Sequence, residues 1–206
     1  MGQQIVFATG NAGKMREIRE ILGDTGMEIL SMKEAGIQAD IVEDGTTFEE
    51  NAVIKAKAVA ELLMRSSGEH SGAIVLADDS GLEIDALNKE PGIYSARYMG
   101  EDTPYSIKSR TLIERLAGVP DEKRTARFVC AIAAAMPDGE VITTQGVIEG
   151  RIGYEEKGDN GFGYDPIFHV PEYGCTTAQL TEEQKNRISH RGKALEAMKE
   201  ELGKRI

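Results

Sequence analysis

The chain has 206 residues, 40% of them apolar, a formal net charge of -11 and two cysteines. That length buries a full core as one globular unit over 1–206, and the acidic balance excludes a nucleic acid polymer as main partner, since counterion release needs an extended basic surface. A small anion stays open, because it needs only a local convergence of lysines and arginines.

In chain order, Ile5 to Ala8 reads as a short buried strand, and Met15, Ile18, Ile21 and Leu22 recur at helical spacing up to Gly23. Thr47 with Glu50 forms a capping-box signal for a second helix, whose apolar positions run from Phe48 to Leu63 and end near Ser66. Ala73 to Ala77 reads as a strand covered on both faces that stops at the polar turn Asp78, Asp79, Ser80, Gly81. Glu83 to Leu87 is expected as a separate short strand, and Tyr105 to Leu116 as a helix closed by Gly118 and Pro120. Ala126 to Met136 and Val141 to Ile148, joined by "PDGE", predict a hairpin. Then "GFGYDPIF" leads from a loop into a strand, and a capping box at Thr181 and Gln184 opens a helical pattern reaching Leu202. Strands alternating with helices, plus one hairpin, predict an α/β fold with a mixed sheet. The longest apolar run, Val129 to Met136, is far short of a membrane span, and the N-terminus leads directly into a strand. The expectation is therefore a cytoplasmic protein with no membrane contact, whose Cys130 and Cys175 are free thiols.

Several stretches carry chemistry. "TGNAGK" fails the Walker pattern, because only two residues separate Gly10 from Gly13 and Met15 follows Lys14; it also lacks the third glycine of the dinucleotide fingerprint. What remains is a helix start with exposed N–H groups and a lysine in the first turn, a setting that suits an anion. In "ADDSG", adjacent carboxylates on extended backbone point to opposite sides, so one of Asp78 and Asp79 faces chemistry and the other fixes the loop. Asn51 and Lys55 share a helix face. "GFGYDPIF" sets Phe162 between glycines, where its ring could stack on a nucleobase. "ISHRGKAL" gathers Ser189, His190 and Arg191 at a helix start, with Ser189 as the cap.

Taken together, "TGNAGKMREI", "EDGTTFEENAVIKA", "ADDSGLEIDAL", "PGIYSARY", "GFGYDPIF" and "KNRISHRGKAL" resemble, in order, the motifs of the inosine triphosphate pyrophosphatase family, the XTP/dITP diphosphatases. The resemblance covers residue 5 to about residue 203. It implies an elongated α/β fold with two lobes around a deep cleft, a homodimer, and Mg2+-dependent hydrolysis of non-standard purine nucleoside triphosphates (ITP, dITP, XTP) to monophosphate and pyrophosphate. By position it implies that Thr9, Gly10, Asn11, Ala12, Gly13 and Lys14 bind the triphosphate, with Lys55 adding charge. It also implies Glu43 and Asp79 as metal carboxylates, Asp79 being the catalytic group. Ser80, Phe162, Gly163, Tyr164, Asp165, Lys185, His190 and Arg191 match substrate contacts. His190 and Arg191 could donate to the 6-oxo group of hypoxanthine or xanthine, where adenine's amino group would set donor against donor.

Overall fold

The computed structural model describes residues 3–66 and 68–205. Among them, seven strands form one sheet in the order β2-β1-β3-β4-β5-β6-β7. These are β1 (Gln4–Phe7), β2 (Glu28–Ser31), β3 (Ile74–Ile84), β4 (Thr125–Ala135), β5 (Val141–Ile152), β6 (Phe168–Val170) and β7 (Cys175–Thr176). The helices are α1 (Ala12–Leu22), α2 (Phe48–Ser66), α3 (Tyr105–Arg115), α4 (Glu182–Ile188) and α5 (His190–Gly203). β1 pairs in parallel with β2 and β3, while β6 pairs antiparallel with β5 and β7. The sheet is thus mixed, as the alternation of elements predicts.

The chain divides into two compact units, and the long strands β3, β4 and β5 lend residues to both. The first comprises Met1–Asp79, Cys130–Gly146 and Arg191–Ile206. Its core joins Ile5, Phe7, Ile74, Leu76 and Ile132 of the strands to Ile18 and Leu22 of α1 and to Leu195 and Met198 of α5. Val6 and Val75 are fully buried as well, so these parallel strands are covered on both faces. Each Ile or Leu enclosed in this way contributes about 1.5–3 kcal/mol. The second unit comprises Ser80–Val129 and Val147–His190, with Leu82, Leu112, Phe128, Ile152 and Phe168 at its centre.

Two expectations need correction. The strand of Ala73–Ala77 does not stop at Asp78: β3 runs unbroken from Ile74 to Ile84, so Asp78, Asp79, Ser80 and Gly81 lie mid-strand and no separate strand begins at Glu83. Buried charges end a strand only where counter-charges are missing, and here Lys14 and Arg191 supply them. The pattern from Thr181 to Leu202 is two helices and not one, parted at Ser189, whose backbone is extended; the helix start that the sequence places at Ser189 to Arg191 is where α5 begins. The strands β2 and β7 were not foreseen.

Candidate active site

The first unit holds a dense array of charge. Asn11 caps α1 by accepting the Lys14 amide at 3.0 Å, and its own amide donates to Thr9 Oγ1 at 3.1 Å. The amides of Ala12 and Gly13 find no acceptor among the described residues, and a side chain at Gly10 would meet nothing within 4 Å. The loop therefore offers exposed donors at the positive end of a helix.

Along β3 the two aspartates part, as alternation requires. Asp78 is fully buried; Lys14 Nζ lies 2.9 Å from its Oδ2, and Arg191 Nε and Nη2 each approach at 3.3 Å. Arg191, itself buried, also meets Glu17 at 2.5 Å. Burial pushes the Asp78 carboxyl up, but Lys14, Arg191 and Lys55 outweigh it and hold the group well below the usual carboxylate range. Asp79 turns toward α2 instead, where Asn51 Nδ2 donates to it at 3.0 Å. Its pKa is raised, by burial first and by repulsion from Glu43, against the opposing pull of Asn51, Lys55 and Lys14. Lys55 bridges the set, 3.0 Å from Glu43 and 3.0 Å from the Asp78 carbonyl.

Thr9, Gly10, Glu43 and Lys55 line one pocket of about 730 Å³. Among the described residues no group of three or more His, Cys, Asp or Glu converges as a metal cage. Glu43 and Asp79, which repel one another, are the carboxylates here that could hold a metal ion.

In the second unit Asp165 plays the organising part. It accepts from Lys185 Nζ at 2.7 Å, Thr177 Oγ1 at 2.8 Å and the Phe162 amide at 2.9 Å. Gly161, at φ +74°, sits where a Cβ would collide with that carboxylate, so the loop closes only around glycine. The Lys185 ammonium lies 4.9 Å from the centroid of the Phe162 ring, and the ring remains partly exposed. Tyr164 is buried and donates to the Ser95 carbonyl at 2.8 Å. His190 is buried and stacks on Phe128 at 4.9 Å. Ser80 and Gly163 are half-buried.

Each unit thus assembles its share of the residues singled out by sequence: Thr9 to Lys14, Glu43, Lys55, Asp79 and Arg191 in the first, Ser80, Phe162 to Asp165, Lys185 and His190 in the second. Three supports escaped the sequence reading. Asn51 was noticed only as a neighbour of Lys55, yet it grips Asp79 and receives the Gly45 amide at 2.8 Å, where a Cβ on Gly45 would lie 2.7 Å from Asn51 Oδ1. Glu17 and Thr177 gave no local signal.

The sequence profile of the Ham1 family matches residues 5–201. The chain belongs to the Ham1 family. A "dITP/XTP pyrophosphatase" of Clostridium perfringens is 50% identical over 97% of each chain, and one of Bacillus subtilis is 44% identical over 95% of each. Among solved structures, the Ham1 protein of Staphylococcus aureus superposes with a TM-score of 0.85 at 41% identity, covering 99% of this chain and 100% of its own. The Ham1 fold therefore accounts for the whole of the described architecture, and the residue range of the family match includes both charged clusters.

Proposed function

We propose that this Ham1 protein is a dITP/XTP pyrophosphatase that hydrolyses ITP, dITP and XTP to the nucleoside monophosphate and pyrophosphate in the cytoplasmic nucleotide pool, with Mg2+ as cofactor and as a homodimer. The observation that carries the reading is the arrangement in the first unit, where Glu43 and Asp79 repel one another beside Lys14, Lys55 and the amides of the Thr9 to Lys14 loop. A carboxylate pair suits a divalent cation, and the lysines and amides suit the phosphates that accompany it. The dITP/XTP relatives named above support the same chemistry.

Glu43 and Asp79 would hold the metal, which when bound neutralises charge on the phosphates and on the departing pyrophosphate. Asp79, oriented by Asn51, directs a water at the α-phosphorus. The loop amides with Lys14 and Lys55 hold the triphosphate in line, so positioning and electrostatics supply most of the rate. Phe162 offers a stacking face, and Lys185 and His190 of the same unit offer donors to a 6-oxo group, whereas Arg191 is committed to Asp78 and Glu17. An adenine amino group would leave such donors unpaired, a loss worth a discrimination of about 10⁴ or more.

The test is incubation with Mg2+ and a panel of ITP, dITP, XTP and the standard triphosphates, with products resolved by phosphorus NMR. Monophosphate and pyrophosphate from the first three are expected. Early orthophosphate would move the cleavage to another bond, and an unchanged panel would leave a nucleotide-binding protein without this activity. Light scattering at working concentration checks the dimer.

A further inference from the structure

Lys33 stands on the turn that follows β2, fixed by backbone bonds from Ala35 to Ser31 (3.0 Å), Gly36 to Lys33 (3.1 Å) and Ile37 to Met32 (2.8 Å). It lines the pocket of about 730 Å³ together with Thr9, Gly10, Glu43 and Lys55. It also lines a second pocket of about 570 Å³, shared with Thr9, Gly10 and Arg16. Thr9, Gly10 and Lys33 therefore border both pockets.

The neighbouring lysines are already spoken for: Lys14 lies on Asp78 at 2.9 Å and Lys55 on Glu43 at 3.0 Å. Lys33 has no ion pair among the described residues. The carboxylate next to it in sequence cannot serve, because Glu34 accepts from Ser31 N and Oγ, both at 2.7 Å, and from Arg19 at 2.6 Å. Those contacts, Arg19 foremost, hold the Glu34 pKa down to about 2, so its charge stays committed to them. An exposed ammonium on a fixed turn, facing a pocket whose other cations are neutralised, is matched by a ligand that brings more negative charge than the loop amides and Lys14 can balance.

We propose that Lys33 is a binding residue for the pyrophosphate portion of the substrate: it meets the β- and γ-phosphates and then the released pyrophosphate, and makes no contact with the nucleoside monophosphate. This deepens the triphosphatase reading and rests on it for the identity of the full substrate. The pyrophosphate contact itself can be measured without turnover.

Calorimetric titration of the full chain with magnesium pyrophosphate and, separately, with IMP tests the assignment in the wild type, Lys33→Met and Lys33→Arg. Lys33→Met should weaken pyrophosphate binding by about three- to tenfold, with Lys33→Arg restoring most of it and IMP affinity unmoved. The loss should shrink at high salt, since the ammonium is exposed. Unchanged pyrophosphate affinity in Lys33→Met, an equal loss for IMP, or a wild type that binds no pyrophosphate would each overturn it. A wild type that binds pyrophosphate through Lys33 yet leaves ITP intact would sink the nucleotide reading and keep this one.

Discussion

Two buried aspartates organise the two units by different means. Asp165 is held mostly by neutral donors, the Phe162 amide and the Thr177 hydroxyl, with one lysine completing the set. Asp78 is held by cations, Lys14 and Arg191, and Arg191 must be balanced in turn by Glu17. Neutral donors tie down a loop without raising the local field. A chain of ion pairs also fixes geometry, but every member of it depends on the charge of the next. The second unit can therefore lose a donor and keep its shape, whereas the first carries its anion-binding lysine on a carboxylate it cannot lose.

The neighbour of Asp78 gives the largest expected break in this comparison. Asp79 accepts from Asn51 and is repelled by Glu43, and the proposed reaction uses its charge. Asp79→Asn keeps size and hydrogen bonding but removes that charge. Turnover of ITP at saturating Mg2+ should fall by about a thousandfold or more, with the thermal midpoint nearly unchanged. Near-normal turnover in a well-folded variant would displace Asp79 from the catalytic role.

Asp78→Asn should act on stability, because it leaves the buried Arg191 and Lys14 short of a counter-charge; a loss of about 3–5 kcal/mol in denaturant unfolding at neutral pH is expected. Asp165→Asn, whose amide oxygen still accepts from Phe162 and Thr177, should cost less. The two differ in pH dependence as well. Asp78 is held below its ordinary value of 3.8. Its contribution is full above that pH and drains away below it, because the unfolded chain takes up the proton first. The gap between wild type and Asp78→Asn should accordingly hold down to about pH 4 and close as unfolding is measured further downward. A gap that widened on acidification would reverse the sign of the linkage.

Smaller again is the effect of the stacking surface. Phe162→Ala should raise the KM for ITP by an amount worth roughly 1–3 kcal/mol, and Phe162→Tyr should restore it. The measurement is steady-state kinetics on ITP; an unchanged KM would assign the ring to packing against Lys185 alone.

What the sequence disclosed follows the range of each interaction. The helix start at "TGNAGK", the capping box of Thr181 and Gln184 and the hairpin of β4 and β5 rest on partners a few residues apart and are legible in the sequence, although the cap that Asn11 provides was not singled out. The continuation of β3 through Asp78 was not legible, since charged residues after an apolar run signal a turn. The cations that allow the strand to run on are 64 and 113 residues away. Asn51 escaped for a related reason. Its value lies in Asp79, 28 residues on, and in a glycine that lets the loop approach it. Helix spacing said which face it shared with Lys55, and nothing local said what that face would meet.

The smallest and sharpest test compares the two caps. Asn11 accepts the Lys14 amide at 3.0 Å at the start of α1, and Thr181 accepts the Gln184 amide at 3.2 Å at the start of α4, one turn before Lys185. Replacing either by alanine removes one side-chain acceptor from a helix end and should cost about 1 kcal/mol of stability. Their ligand effects should divide by unit. Asn11→Ala loosens the loop whose free amides and Lys14 address the phosphates, so magnesium pyrophosphate should bind a few-fold more weakly and IMP nearly as before. Thr181→Ala frays the helix that delivers Lys185 to Asp165 and Phe162, so IMP should suffer and pyrophosphate should not. Equal losses for both ligands in both variants would mean that the caps act only through global stability, and that phosphate and base recognition are not separately housed.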